Sequence, residues 1–489
     1  MTLTQILVFS LSALIIGNLV PARWRGWILI GGSVLALYWL LPSTPIRNLD
    51  FWFPSISIAL TVFVWAVTQK PVRGQKENLT TLAGLLIFGL IVLLGITRYI
   101  DPLCCITPTR PPSIVTILIF LGLVAAAGVM LFRLMPVKRT LSYAAIVFIL
   151  GLFIVLKSEP AVLRASAWLR LSAGQPADLA LVSDLPWLGF SYLAFRLLHV
   201  LRDYQNDRLP VYSLGDFVTY AVFFPTITAG PIDRSQRFMG DLRESTDQGA
   251  ESSASARLLS GVNTDHLTNG GQRILWGVFK KFVLADSLAL IALNSRNAVQ
   301  VEGALWTWVL LYAYALRLYF DFSGYTDIAL GLGRLMGFRL PENFDRPYLK
   351  SSLTAFWNSW HITLAQWFRA YYFNPLTRYL RGRGREIPGW VIIFLGQVST
   401  MLLIGLWHGI SWNFAVWGLW HGLGLFINNR WSSWVGPRLL AAEQSRWVTR
   451  LLQFGGWLLT FNFVAIGWVW FTMPGLELSL SVIANLFGF

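Results

Sequence analysis

Long apolar runs set the pattern of this chain. An α-helix needs about 20 mostly apolar residues to cross the hydrocarbon core of a bilayer. Runs approaching that length recur along the first part: Leu3–Val20, Gly26–Leu41, Phe51–Val67, Leu79–Thr97, Ser113–Leu134 and Leu141–Leu156. Further runs are Leu179–Leu198, Asp216–Gly230, Ile274–Leu293, Leu305–Tyr319, Trp390–Leu406, Trp412–Ile427 and Trp447–Phe471, with Leu476–Phe489 a shorter candidate. Only helices and closed barrels satisfy every backbone polar group in lipid, and these runs are too long and continuous for barrel strands. The pattern predicts an all-α, polytopic integral membrane protein with roughly a dozen transmembrane helices. Leu3–Val20 lacks a basic n-region before it and a small-residue cleavage site after it, so it reads as a retained span and not a signal peptide.

Composition agrees. Of 489 residues, 55 % are hydrophobic and only 13 % charged, against roughly 25 % charged in soluble domains. This excludes a disordered chain and argues against an ordinary soluble enzyme. The net charge of +15 would suggest nucleic acid in a soluble protein. Here it sits largely in short loops: net +2 with Arg23 and Arg25, +2 around Lys70, Arg73 and Lys76, and +3 with Arg133, Lys138 and Arg139. The alternate loops carry zero and +1. Basic loops face the cytoplasm, which predicts an outside N-terminus and a basic inner face suited to an acidic donor or anionic lipids. The two cysteines, Cys104 and Cys105, are adjacent and read as apolar filling.

The longest polar segment, Asp233–Arg273, reads as a solvated connector, His266 included. The chain carries no P-loop, His-Glu-x-x-His or Gly-x-Ser-x-Gly motif. Gly331, Gly333 and Gly337 miss the dinucleotide spacing and suit close helix packing.

Polar residues within apolar spans are expensive, and they concentrate in the second half. Phe320–Asp327 carries two acids, and Asn343–Tyr348 is a polar turn with a helix-breaking proline. In Phe356–Arg369, helical spacing puts Trp357, Trp360, His361, Leu364, Trp367 and Phe368 on one face, which predicts a tilted or re-entrant helix. Gly-Leu-Trp-His-Gly occurs twice, at Gly405–Gly409 and Gly418–Gly422. An offset of 13 residues on one straight helix would aim His408 and His421 at opposed faces, about 220° apart. A break at Gly409–Ser411 lets both approach one cavity.

His361, His408 and His421 admit three readings. Each can be a hydrogen-bonded structural residue, or the three can hold zinc, although no acid or cysteine sits at ligand spacing. Alternatively a neutral imidazole can take the proton of a hydroxyl as it attacks an acyl carbonyl. With no serine or cysteine in a nucleophile motif, direct transfer between two bound substrates is the economical version of that chemistry.

At these motifs the sequence resembles the membrane-bound O-acyltransferase (MBOAT) family, in the bacterial branch with alginate O-acetylases and lipoteichoic-acid D-alanyl transferases. The resemblance rests on Phe223–Arg234, Gly277–Asp286, Phe320–Gly337, Asn343–Arg369 and Gly405–Gly422. It implies N-terminal helices over residues 1–180, a catalytic core over 185–430 containing the polar loop 233–273, and C-terminal helices over 431–489. The implied fold is a helical ring with a thinned centre and re-entrant or interfacial helices. The family's Trp-His-Gly histidine falls on His408, implied as catalytic base, and its Trp-His-x-Ser/Thr-Leu histidine on His361, implied as a second essential residue. His421, Trp360, Trp407 and Asn413 are expected on the substrate.

The implied reaction moves a small acyl group, acetyl or D-alanyl, to a hydroxyl of a cell-envelope polysaccharide or polymer. Acetyl-CoA or an acyl-carrier-protein thioester serves as co-substrate, with no tightly bound cofactor or metal. Implied partners are membrane lipids, a carrier protein at the cytoplasmic face and an extracytoplasmic acyl-relay protein, with no nucleic acid. The implied location is a bacterial plasma membrane. Phe223–Arg234 looks closer to the D-alanyl-transferase form, while Ser351–Leu376 and Gly405–Gly422 look closer to the acetylase form. The rival is a lipid or glycan transporter with Asp321, Asp327 and the histidines lining a path; against it, the halves show no internal repeat.

Overall fold

The structure is a computed structural model that describes residues 1–69, 75–100, 106–247, 264–383, 387–436 and 445–489. Cys104 and Cys105 and residues 248–263 of the predicted polar loop lie outside the described residues; the rest of that segment is not a plain solvated connector, since Ser235–Asp247 and Thr264–Val278 are helical and Phe238, Met239 and Leu242 are buried. The protein is 77 % helix, with no strand among the described residues. Among the described residues, six helices are long and apolar enough to cross a membrane: Leu49–Thr68, Glu77–Tyr99, Ile114–Leu134, Lys138–Lys157, Gly389–His408 and Arg446–Thr472. Serine marks the start of several helices, two of these spans among them. Ser113, Ser213, Ser352, Ser411 and Ser445 each accept the backbone N–H three residues on, relieving an orphan donor at a helix start.

The chain divides into two compact units: Met1–Ile274 with Ile328–Pro341, and Leu275–Asp327 with Glu342–Phe489. The first contains α1 (Leu3–Asn18), α2 (Ala22–Leu40), α3 (Leu49–Thr68), α4 (Gln75–Ile96), α5 (Ile114–Leu134), α6 (Lys138–Lys157) and α7 (Glu159–Ser172). After these come α8 (Phe190–Gln205), α9 (Leu214–Ala221) and α10 (Ser235–Asp247). The apolar run Asp216–Gly230 is not one continuous helix. Helix α9 stops at Ala221, ahead of Pro225 and Pro231, which cannot donate to a helical ladder. The carbonyls freed there are taken up by Arg196, which is buried on α8 and donates to Tyr220 O, Ala221 O and Thr226 O at 2.9–3.2 Å. A second buried group, His199, meets Tyr220 Oη at 3.0 Å and the Ser235 N–H at 3.3 Å. Segment 223–234 is thus shaped by α8 and not by its own helical propensity.

The second unit begins in α11 (Thr264–Val278), which runs on into a π-helical turn over Phe279–Ala285. Helix α12 (Ala304–Leu335) follows, contributing residues up to Asp327 to this unit. Then come α13 (Leu353–Trp357), α14 (Ile362–Phe368), a π turn over Arg369–Phe373 and α15 (Asn374–Gly382). Helices α16 (Gly389–His408), α17 (Trp412–Trp434), α18 (Arg446–Thr472) and α19 (Leu476–Leu486) complete it. Helices α16 and α17 pack backbone to backbone because glycine lines the seam. A Cβ on Gly418 would lie 2.6 Å from Met401 O, one on Gly422 2.8 Å from Val398 Cα, and one on Gly405 within 2.2 Å of Phe414 O.

The two acids of Phe320–Asp327 have lysine partners. The π turn brings Lys280 Nζ within 2.6 Å of Asp327 Oδ2 and pairs Lys281 with Asp321. Gly324, midway between the acids, lets the backbones meet: its Cβ would fall 2.8 Å from Gly277 O and 2.9 Å from Lys281 N.

Candidate active site

The predicted aromatic helix over Phe356–Arg369 is broken at its centre. Helix α13 ends at Trp357 and α14 starts at Ile362, with His361 between them at φ 43°. That left-handed backbone is uncommon for a residue with a Cβ and persists only where the surroundings enforce it. Here segment 343–345 enforces it. Phe344 forms an antiparallel bridge with Trp360, Asp345 N donates to Ser359 O at 3.0 Å, and Ile362 N donates to Asn343 O at 3.0 Å.

Asn343 sets the state of the histidine. Its Oδ1 accepts the Thr363 N–H at 3.1 Å and the Thr363 hydroxyl at 2.8 Å, and lies 3.3 Å from His361 Nδ1. A backbone N–H can only donate, so the Asn343 atom facing it is the oxygen. His361 Nδ1 therefore carries the proton, and Nε2 keeps its lone pair. His361 is buried in this turn outside the six candidate spans, and desolvation pushes its pKa down to about 3, favouring neutral imidazole.

His408 ends α16. Its ring lies 4.4 Å from Trp407, 4.8 Å from Phe471 and 5.5 Å from Trp417. The predicted break follows at once: residues 409–411 are non-helical, and Ser411 caps α17. His361 and His408 meet on the wall of one cavity of about 50 Å³, whose aromatic lining includes Trp357, Trp360, Trp417 and Trp468. Across Trp357 and Ile404, which face both spaces, lies a second cavity of about 150 Å³ with a more polar lining: Thr354, Asn358, Arg369, Gln397 and Thr400. Arg369 is held there by its bond to Asn358 Oδ1 at 2.7 Å.

The other expected residues divide. Trp360 lines the histidine cavity. Trp407 is on the ring of His408 and not among the lining residues. His421 is fully buried one layer behind, 4.9 Å from Trp417 and 5.3 Å from Trp357 between ring centres, with Gly467 leaving room for its Nε2. Asn413 donates to Met473 O at 2.8 Å and Ser479 Oγ at 2.9 Å, so its amide ties the start of α17 to the α18–α19 connection. Among the described residues, no three His, Cys, Asp or Glu side chains are placed to hold a metal ion.

Reading the sequence alone missed Asn343, Trp417, Trp468 and Phe471. Asn343 sits 18 residues before the histidine it orients, beyond any local spacing rule. The tryptophans and Phe471 read as ordinary apolar filling until the fold wraps them around the two histidines.

Comparison with known proteins gives a consistent picture. The model of the membrane-bound O-acyltransferase family, MBOAT, matches residues 154–466. Over 303 residues, 62 % of this chain, the sequence is 33 % identical to a protein named probable alginate O-acetylase AlgI from Pseudomonas aeruginosa, covering 52 % of that protein. It is 33 % identical to the teichoic acid D-alanyltransferase of Streptococcus thermophilus over 257 residues, 51 % of this chain and 58 % of that one. It is 30 % identical to the peptidoglycan O-acetyltransferase of Helicobacter pylori over 292 residues, 58 % of this chain and 49 % of that one. The chain thus spans about half the length of these relatives.

Proposed function

The chain belongs to the membrane-bound O-acyltransferase family, and on that premise we propose that it moves a small acyl group, acetyl or D-alanyl, from a thioester to a hydroxyl of a cell-envelope polysaccharide. The observation that carries this reading is the convergence of His361 and His408 on one small aromatic cavity next to a larger one with polar side chains in its wall. Two adjoining spaces suit a reaction that brings two substrates together, and the smaller has room for a group of only a few atoms.

In the proposed step the neutral His408 imidazole takes the acceptor hydroxyl proton as that oxygen attacks the acyl carbon. A C–O bond forms and the carbonyl pair moves onto its oxygen. Collapse re-forms the carbonyl and breaks the C–S bond, and the leaving sulfur recovers the proton from the imidazolium. His361, with its Nε2 lone pair turned out by Asn343, orients the acceptor. Trp360 lines the cavity, while Trp407, His421 and Asn413 support its walls. The donor is acetyl-CoA or an acyl-carrier-protein thioester at the basic cytoplasmic face, and an extracytoplasmic relay protein is the partner that would carry the group onward. The setting is a bacterial plasma membrane, crossed by about a dozen spans.

Asp321 and Asp327, the acids that a transport path would require, are each ion-paired to a lysine. Membrane vesicles containing the protein and fed radiolabelled acetyl-CoA test the reading. Label recovered as alkali-labile ester on envelope polymer supports it. Substrate crossing the bilayer unmodified, with no ester under acetyl- or D-alanyl-donor conditions, contradicts it.

A further inference from the structure

Buried indole N–H groups almost always find an acceptor, because leaving one unpaired forfeits its hydrogen bond to water with nothing in return. Around the site most do. Trp308 donates to Leu486 O at 3.0 Å, Trp420 to Phe463 O at 3.0 Å, Trp457 to Tyr348 O at 2.8 Å and Trp468 to Tyr348 Oη at 3.0 Å. Trp357 and Trp417 do not. They are 7 % and 1 % exposed, and neither Nε1 has an acceptor among the described residues. Trp470 shares this condition but lies off the cavity, whereas Trp357 and Trp417 both line the space that holds His361 and His408. The Trp417 ring lies 5.5 Å from the His408 ring and 5.9 Å from Trp357.

We propose that the indole N–H groups of Trp417 and Trp357 are the donors that stabilise the acyl oxygen as negative charge develops on it. This rests on the acyl-transfer reading above and adds two catalytic residues to it. In that step the carbonyl π pair moves to oxygen while the new C–O bond forms, and it returns when the C–S bond breaks. Donors on a dry, rigid wall act most strongly at that moment. Such donors fit an uncharged acyl carbonyl well.

Replacing Trp417, and separately Trp357, with β-(3-benzothienyl)alanine tests this, since sulfur takes the place of N–H and the bicyclic ring stays. The full-length variants are expressed in cells lacking the wild-type copy. Acyl ester released from the envelope by mild alkali is identified as acetate or alanine and followed over time, and the purified proteins are melted. Ester formation should fall about 10- to 100-fold with unchanged protein level and melting temperature, whereas 5-fluorotryptophan, which keeps the N–H, should retain the rate. Unchanged rates in both benzothienyl variants overturn the assignment, as does a loss matched by a fall in melting temperature. Undiminished ester in His408→Ala would instead remove His408 as the base, and equal ester in cells without the protein would sink the acyl-transfer reading itself.

Discussion

Gly418→Ala is the smallest change that should disable the protein from a distance. The alanine Cβ would lie 2.6 Å from Met401 O and 2.7 Å from Leu402 Cα. Both are backbone atoms of α16, so no side chain can rotate away. Ordinary contact begins near 3.4 Å, so α16 and α17 must part by about 0.8 Å, within the range where overpacking costs about 1–3 kcal/mol. His408 ends one of these helices, and Trp417 sits next to the substituted residue on the other. Separating them widens the cavity between base and wall. A misplacement near 1 Å costs about 100-fold in rate, so activity should fall further than stability. Thermal unfolding of the purified variant and ester formation in cells, each normalised to protein level, measure the two effects. A variant with wild-type melting and full activity would refute the reasoning, since the seam would then not be rigid.

Three further outcomes follow from the same geometry. Asn343→Ala removes the acceptor shared by Thr363 N, Thr363 Oγ1 and His361 Nδ1; it should cost about 2–4 kcal/mol and most of the activity, whereas Asn343→Asp, which keeps an acceptor, should retain more of both in the same melting and ester assays. His361, its pKa lowered by burial from 6.5 to about 3, stabilises fully above pH 6.5 and loses that contribution as pH falls toward 3, by up to about 1.4 kcal/mol per pH unit; melting temperatures should therefore drop on acidification, and less so in His361→Gln. Asp327→Asn strands the Lys280 ammonium, one-quarter exposed, and should cost about 1–3 kcal/mol in thermal unfolding, with Lys280→Met in the same chain restoring most of it.

Much of this architecture is legible in the sequence because hydropathy and glycine spacing act locally. The seam between α16 and α17 follows from small residues four apart at Gly418 and Gly422, and the break that frees His408 follows from Gly409–Ser411. What is not legible depends on partners remote in the chain. Phe356–Arg369 has helical spacing throughout, yet Asn343–Asp345 pairs with its centre and forces His361 out of the helix. Asp216–Gly230 is apolar enough to read as a span, yet Arg196 satisfies its carbonyls and lets it remain irregular. His199 passes unnoticed in sequence because nothing local distinguishes it; Tyr220 and Ser235 give it a structural place. Asp321 and Asp327 look like a polar path until the π turn supplies Lys280 and Lys281.

The central claim is that acyl transfer occurs in the cavity shared by His361 and His408, with His408 as the base. Alkali-labile acyl ester on the envelope of cells carrying His408→Ala, expressed and folded at the wild-type level, tests it most directly. The account predicts ester at the level of cells without the protein; ester at the wild-type level would contradict it.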